Sequence, residues 1–214
     1  MVVSVDGTRL KILNLLQRQG QATVDSLARR MGLAPATVRR HLDILQRDQL
    51  VTFVEVHKRT GRPEYSYYLT PVGQESLPKG YDRLLGLLLE ELASLAVADI
   101  RDKSGRDVIR LLVDRIASRM VSQYQRPGAS AEERLTALTT LLTQQEFAPE
   151  VERVGDVVRV KLHNCPFRTV ALAEGEVCSM DRTIISAFVN GPVEKERCIS
   201  TGAHSCCYVA RLSP

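Results

Sequence analysis

Hydrophobic residues at helical spacing dominate the first 50 positions of the chain. The apolar residues of segment 8–19 predict one helix that ends at Gly20. Thr23 is a good N-cap for a second helix ending at Gly32, and Pro35 suits the first position of a third helix. Three short helices with a glycine-containing turn between the second and the third predict a helix-turn-helix.

The spacing changes to that of strands after the third helix. Residues 50–56 and 64–70 are rich in β-branched and aromatic side chains, and the basic segment 57–63 lies between them. This pattern predicts a β-hairpin with a charged tip. A helix-turn-helix followed by such a hairpin predicts a winged helix.

The rest of the chain predicts a helical region and then a mixed one. Helical spacing returns from Pro71 to about Gln125, and one apolar stripe consists of Leu84, Leu85, Leu88, Leu92 and Leu95, broadened by Leu87 and Leu89. Ser130 and Glu133 form a capping-box pattern at the start of a further helix. Beyond Phe147, residues 151–154 and 157–163 flank the turn pair Gly155-Asp156, residues 183–189 favour a helix, and residues 193–199 and 206–212 favour strands.

We therefore predict an α+β protein in three parts. Residues 1–72 form a winged-helix DNA-binding domain, residues 73–126 a helical linker and dimerisation region, and residues 127–214 an α+β sensor domain. The leucine-rich helix around residues 81–97 has more apolar surface than a lone winged helix can bury, so we expect it to be the interface of a homodimer, with packing inside the domain as the alternative.

Charge is distributed unevenly along the chain. Residues 1–70 hold 11 Lys and Arg against 6 Asp and Glu, whereas the whole chain has a net charge of +4. The positive surplus therefore lies entirely in the predicted winged helix, as expected of a nucleic-acid-binding module. No secretory signal or membrane-spanning stretch is evident, which predicts a cytoplasmic protein without a membrane partner.

Two elements of the predicted winged helix are suited to contact double-stranded DNA. The N-terminal half of the third helix would enter the major groove, where arginine can bind guanine and threonine can contact a thymine methyl group or a phosphate. The tip of the hairpin would meet the adjacent backbone or minor groove. The predicted DNA-binding residues are Thr37, Arg39, Arg40, His41, His57, Lys58, Arg59 and Arg62.

All five cysteines lie in the last 50 residues, at positions 165, 178, 198, 206 and 207. Clustering in one segment suggests a shared role in metal binding, cluster binding or redox sensing. Thiols stay reduced in the cytoplasm, and no Cys-x2-Cys pair is present, so structural disulfides and zinc fingers are disfavoured. Thiolate ligation then favours an iron–sulfur cluster over zinc, although a four-cysteine zinc site remains an alternative.

Two motifs resemble a known family. The segments ATVRRHLDIL and GRPEYSYYLTPVG look like those of the DeoR/ArsR-like winged-helix repressors, and the hairpin is similar to that of SufR-type repressors of iron–sulfur assembly operons. The resemblance continues through LHNCPFRTVA, EVCSMDR and a glycine-containing turn before CCY. It implies a repressor that senses an iron–sulfur cluster, of the 4Fe–4S type, and controls iron–sulfur assembly genes. A homodimer formed through the leucine-rich helix would present two recognition helices to a palindromic operator.

The resemblance also suggests which cysteines are ligands. Cys165 and Cys178 match the family's first pair, and Cys206 best matches its last ligand. Cys198 is the candidate for the fourth position, with His163 and His204 as alternatives. Cys207 follows Cys206 directly, and neighbours in a strand point to opposite faces, so only one of the two is expected to be a ligand.

The sequence leaves two alternatives to this hypothesis. One keeps the winged helix but makes the cysteines a zinc-bound or thiol-redox effector domain. The other is an enzyme that carries a winged helix. The sequence has no Gly-rich nucleotide-binding loop and no convincing catalytic triad or carboxylate pair, so we expect no enzymatic activity.

Overall fold

The computed structural model describes residues 7–57 and 63–212, and the chain divides into two compact units, Met1–Pro78 and Lys79–Pro214. Each unit contains helices and one antiparallel sheet. The predicted α+β class, with an N-terminal winged helix and a C-terminal sheet region, is confirmed.

The first unit follows the order of elements that the sequence predicted. Its elements are α1 (Gly7–Gln19), β1 (Ala22–Thr23), α2 (Val24–Met31), α3 (Pro35–Arg47), β2 (Val51–Val56), β3 (Glu64–Leu69) and α4 (Pro71–Glu75). The Thr23 hydroxyl accepts the N–H of Ser26 at 3.3 Å and caps α2, and Gly32 ends that helix at a φ of 65°. Pro35 is the first residue of α3.

The hairpin packs against the three helices through a small sheet of order β1-β3-β2. Strands β2 and β3 pair in register from Val51 opposite Leu69 to Val56 opposite Glu64. The two-residue strand β1 was not predicted, because two residues carry no measurable alternation. Leucines and isoleucines of all three helices bury fully against this sheet, namely Ile12, Leu13, Leu16, Leu27, Leu42 and Leu45.

Thr70 and Gly73, at the end of the GRPEYSYYLTPVG segment, fix the base of the hairpin. The Thr70 hydroxyl donates to the Gln49 carbonyl at 2.6 Å and accepts the N–H of Gly73 at 3.0 Å. A Cβ atom at position 73 would lie 1.9 Å from the carbonyl oxygen of Leu50. Only glycine fits there, which explains why the segment ends in glycine.

The second unit is larger and consists of helices packed on one face of a sheet. Its elements are α5 (Tyr81–Ala93), α6 (Val97–Ile100), α7 (Gly105–Ser122), α8 (Ala131–Gln144), β4 (Pro149–Val154), β5 (Val157–Leu162), α9 (Arg168–Ala173), a 3-10 helix at Gly175–Cys178, α10 (Ser179–Val189), β6 (Val193–Arg197), a 3-10 helix at Ile199–Thr201 and β7 (Cys206–Arg211). The antiparallel sheet has the order β4-β5-β7-β6. Ser130 and Glu133 form the predicted capping box of α8.

One hydrophobic core runs through this unit. Leu84 of α5 and Ile116 of α7 belong to the same buried cluster as Val160 and Tyr208 of the sheet. The helices between residues 79 and 122 therefore pack together with the cysteine-bearing region. Within the described residues, no helix has both the length and the apolar composition to cross a membrane.

Helix α5 presents apolar residues on two faces, whereas the sequence pattern predicted one stripe. Leu84 is buried, and Leu87 and Leu88 are partly buried against the core. Leu85, Leu89 and Leu92 lie on the other side and are 58%, 56% and 53% exposed. The single predicted stripe was wrong because it combined residues from both faces.

Candidate DNA-binding surface and cysteine cluster

Helix α3 presents the predicted contact residues of its N-terminal half to solvent. Val38, Leu42 and Leu45 are fully buried at helical spacing. This arrangement leaves Thr37, Arg39 and Arg40 exposed. These three side chains are free to meet base edges and phosphates if this half of α3 enters a major groove.

The remaining predicted DNA contacts differ in their placement. His41 is half-buried, and its Nδ1 has no hydrogen-bond partner among the described residues. His57 is exposed at the end of β2. Lys58, Arg59 and Arg62 lie outside the described residues.

Replacing Arg39 or Arg40 by alanine should weaken DNA binding by roughly 1–3 kcal/mol each, because each removes a charge-assisted contact from the exposed face of α3. Fluorescence anisotropy with a selected operator would measure the loss, and the salt dependence of binding should also become shallower. Arg47→Ala is the matched control, since Arg47 lies at the other end of the same helix beside Asp48. Equal losses in all three variants would contradict the assignment.

Four cysteines from separate segments of the second unit lie in one neighbourhood, which we call the cysteine cluster. Cys165 follows β5, Cys178 ends a 3-10 helix, Cys198 follows β6, and Cys206 begins β7. Cys198 and Cys206 are buried, and Cys165 and Cys178 are partly buried. The fold therefore brings together residues that stand up to 41 positions apart in the chain.

Cys198 lies at the centre of the cluster. The Cys206 thiol donates to the Cys198 sulfur at 3.7 Å, and the Ser200 hydroxyl lies 3.0 Å from that sulfur. The Cys178 thiol donates to the same hydroxyl at 3.8 Å.

Hydrogen bonding among these thiols concentrates negative charge on Cys198. The bonds from Cys178 and then Cys206 lower the pKa of the Cys198 thiol, and the same bonds raise the pKa of both donors. Burial raises the pKa of Cys165 to about 12. Among the cysteines of the cluster, Cys198 is thus the one whose ionised form is favoured by its neighbours.

Backbone N–H groups point at three of the four sulfurs. Ile199 donates to Cys206 at 3.3 Å, Ser200 donates to Cys198, and Phe167 donates to Cys165. Successive N–H groups in tight turns form concave sites for anions, and hydrogen bonds to sulfur tune thiolate-bound metal centres. The local backbone is thus suited to anionic sulfur ligands.

A buried carboxylate and a lysine complete the surroundings of the cluster. Asp181, in the first turn of α10, accepts the Tyr208 hydroxyl at 3.0 Å and interacts electrostatically with all four cysteines. Burial raises the pKa of Asp181 to about 6, and the charge of Lys195 opposes that rise. A carboxylate in the first turn of a helix gives no sign of this role in the sequence, because the neighbours of Asp181 are set by the fold.

The other candidate ligands differ in their surroundings. Cys207 points to the opposite side of β7, where its thiol donates to Glu196 at 3.2 Å. The Nε2 of His163 lies 3.2 Å from a carboxylate oxygen of Glu150. His204 is exposed. Cys198, rather than either histidine, therefore accompanies Cys165, Cys178 and Cys206.

The cysteine cluster has the residue types of a thiolate-bound metal centre, but the distances between its side chains match one less well. In residues 7–57 and 63–212, no group of three or more His, Cys, Asp or Glu side chains is arranged to hold a metal ion. The 3.7 Å between Cys198 and Cys206 is close to the ~3.8 Å between two ligands of one tetrahedral zinc with bonds of about 2.3 Å. Each cysteine of a 4Fe–4S cluster binds a different iron, so these two sulfurs would have to separate to hold one.

Comparison with known proteins supports the assignment of the first unit. A family model described as winged helix-turn-helix DNA-binding matches residues 5–52, which include α1 to α3. No curated protein gives a significant match. Among solved structures, Bacillus subtilis PadR in complex with operator DNA is similar at a TM-score of 0.30 and 16% identity, over 64% of this chain and 90% of that one.

The family match and the observed hairpin confirm the predicted winged helix. The first unit has the winged helix-turn-helix fold, and its helices match the model of a DNA-binding family of that fold. The matched residues end well before Cys165, so the cysteine cluster has to be interpreted from its own chemistry.

Proposed function

We propose that this protein is a homodimeric transcriptional repressor that senses an iron–sulfur cluster through Cys165, Cys178, Cys198 and Cys206. The observation that carries the proposal is the convergence of these four cysteines in a chain that also has a winged-helix domain. The similarity of its motifs to SufR-type repressors favours genes of iron–sulfur assembly as its targets.

The chemistry of the four cysteines and their surroundings supports an iron–sulfur cluster as the cofactor. An iron–sulfur cluster supplies a centre whose occupancy and charge respond to oxygen and to iron supply. The chain supplies four sulfurs, N–H donors to three of them and a largely buried setting. Neighbouring donors favour the ionised form of Cys198. Because cysteines bind metal as thiolates, the remaining thiol protons are released on binding, which makes loading dependent on pH.

The origin of the four ligands supports a role in sensing. They come from the turn after β5, the start of α10, the end of β6 and the start of β7. A centre bound to all four would connect these elements at the sulfurs, in addition to the strand pairing and the shared core. Its loss would leave only the weaker contacts among thiols at that point. Sensing requires that the loaded and empty states bind DNA with different affinity.

The exposed face of α5 supports a homodimer. Leu85, Leu89 and Leu92 follow one another at helical spacing, while Glu90 and Glu91 form ion pairs with Arg119 of α7. The leucine face is thus left uncovered, and Val97 and Ile100 of α6 are exposed after it in the chain. A twofold contact through this face would present two recognition helices to a palindromic operator.

A zinc-bound effector domain is the second candidate function. The 3.7 Å between the Cys198 and Cys206 sulfurs favours it, since that spacing suits two ligands of a single tetrahedral ion. The winged helix would keep its role, and the metal would stiffen the second unit.

Anaerobic purification tests the proposal against this alternative. A brown protein that contains iron and acid-labile sulfide, and whose affinity for a selected operator changes when the cluster is removed, supports cluster sensing. A colourless protein with about one zinc per chain supports the second candidate. Iron and sulfide without any effect on DNA binding would contradict the sensing role.

A further inference from the structure

Lys195 contacts two members of the cysteine cluster at once. Its Nζ donates to the carbonyl oxygen of Cys178 at 3.2 Å and lies 3.9 Å from the Cys198 sulfur. The same ammonium group lies 5.3 Å from the ring centroid of Tyr208, its partner across the β6–β7 pair. One side chain therefore spans the start of α10, the end of β6 and the strand that carries Cys206.

The position of Lys195 is unusual for a lysine. Its pairing with Tyr208, which is fully buried, places it on the core face of the sheet. Lys161 lies on the opposite face, opposite Cys207, and pairs there with Glu150 and Glu152. A lysine on the core side has to be compensated by nearby negative charge or hydrogen bonds.

The cluster supplies that negative charge. The Cys198 sulfur lies 3.9 Å from the Lys195 Nζ, and Asp181 lies close enough for its charge to interact with that of Lys195. A divalent ion held by four thiolates carries a net negative charge, whereas cysteine side chains without a metal are mostly neutral thiols at pH 7, since their ordinary pKa is about 8.5. A cation in contact with the pocket therefore stabilises the loaded state more than the empty one.

We propose that Lys195 is the positioning and charge-compensating residue of the cysteine cluster, holding Cys178 and Cys198 together and stabilising the metal-loaded state. This inference rests on the proposed function only in taking the cluster to be a metal centre. Lys195 itself is not a ligand, because an ammonium group has no lone pair to donate.

Cobalt(II) titration of the metal-free protein tests this role without any iron–sulfur assembly. Lys195→Met should weaken Co²⁺ binding roughly 10- to 100-fold, as loss of a residue behind the ligands commonly does. Lys195→Gln, which can still donate to the Cys178 carbonyl, should recover only part of the affinity, and Lys195→Arg should recover most of it. Lys161→Met removes the same charge from the opposite face of the sheet and should match the wild type.

Circular dichroism and thermal unfolding of each variant would separate loss of folding from loss of binding. If Lys195→Met does not fold, Lys195→Gln decides the test. Wild-type Co²⁺ affinity in a folded, neutral Lys195 variant would overturn the proposal, and so would an equal loss in Lys161→Met.

Redox titration of the reconstituted iron–sulfur cluster gives a second, spectroscopic measure of the role of Lys195. Removing a positive charge should shift the midpoint potential of Lys195→Met below that of the wild type, with Lys195→Arg restoring it. A wild-type protein that binds Co²⁺ but assembles no cluster would defeat the proposed function and leave the Lys195 inference standing. A wild type that binds neither would overturn both.

Discussion

Replacing Cys198 by serine should abolish retention of the metal centre and uncouple DNA binding from it. The Cys198 sulfur contacts Cys206, Ser200 and Lys195, so its loss removes both a ligand and the centre of these contacts. The loss of metal affinity should exceed the ~10- to 100-fold loss that is expected when a residue that supports a metal ligand is removed. Iron and sulfide content after anaerobic reconstitution, together with operator affinity, would measure it.

Cys207→Ser is the matched control for this variant. Cys207 is as buried as its neighbour, but its thiol points to the other face of β7 and donates to Glu196. This variant should retain cluster content and DNA binding near wild-type values. Equal loss of iron in the two variants would mean that the cysteines act through the stability of the sheet rather than as ligands.

The double substitution Leu85→Lys and Leu89→Lys should convert the protein from dimer to monomer. Both leucines are more than half exposed on α5, so charge there should spare the folded monomer while preventing an apolar contact between copies. Loss of the second linked recognition helix should reduce operator affinity by roughly 10²- to 10⁴-fold. Sedimentation velocity and anisotropy titration would measure the two effects.

Val154→Lys combined with Leu172→Lys provides the control for that experiment. These residues are 80% and 47% exposed, on β4 and α9, so the variant adds the same charge at apolar surface positions outside α5. It should remain a dimer. A dimer that persists in the α5 variant, or a wild-type monomer, would refute the proposed interface.

The two experiments separate the two halves of the proposed mechanism. The Cys198 variant should remain dimeric and lack metal, whereas the α5 variant should keep its metal and lose its partner. A single defect shared by both variants would indicate a general loss of folding in the second unit.

Local patterns were sufficient to predict most elements of the chain. Thr23, Gly32 and Pro35 act through their own backbone and nearest neighbours, so the bounds of α2 and α3 follow from them. The same holds for the Ser130–Glu133 capping box and for the Gly155-Asp156 turn between β4 and β5. The helical and strand spacings of the apolar residues then predicted the winged helix and the α+β character of the second unit.

Pattern alone could not assign the faces of α5. Its leucines are so numerous that several stripes satisfy helical spacing, and packing on α7 determines that Leu84 is buried and Leu85 exposed. Tertiary contacts also determine the short strand β1, since Ala22 and Thr23 become a strand only by pairing with β3.

The cysteine cluster shows where the information in the sequence ends. The chain by itself determined that five thiols occupy the last 50 residues, behind a basic N-terminal winged helix, and that Cys206 and Cys207 face opposite ways. Only the tertiary structure decided that Cys198 joins Cys165, Cys178 and Cys206, that His163 is held by Glu150, and that Lys195 and Asp181 surround the sulfurs. The reason is physical: strand pairing and the packing of α10 bring distant residues within a few ångströms, and spacing along the chain does not encode those contacts.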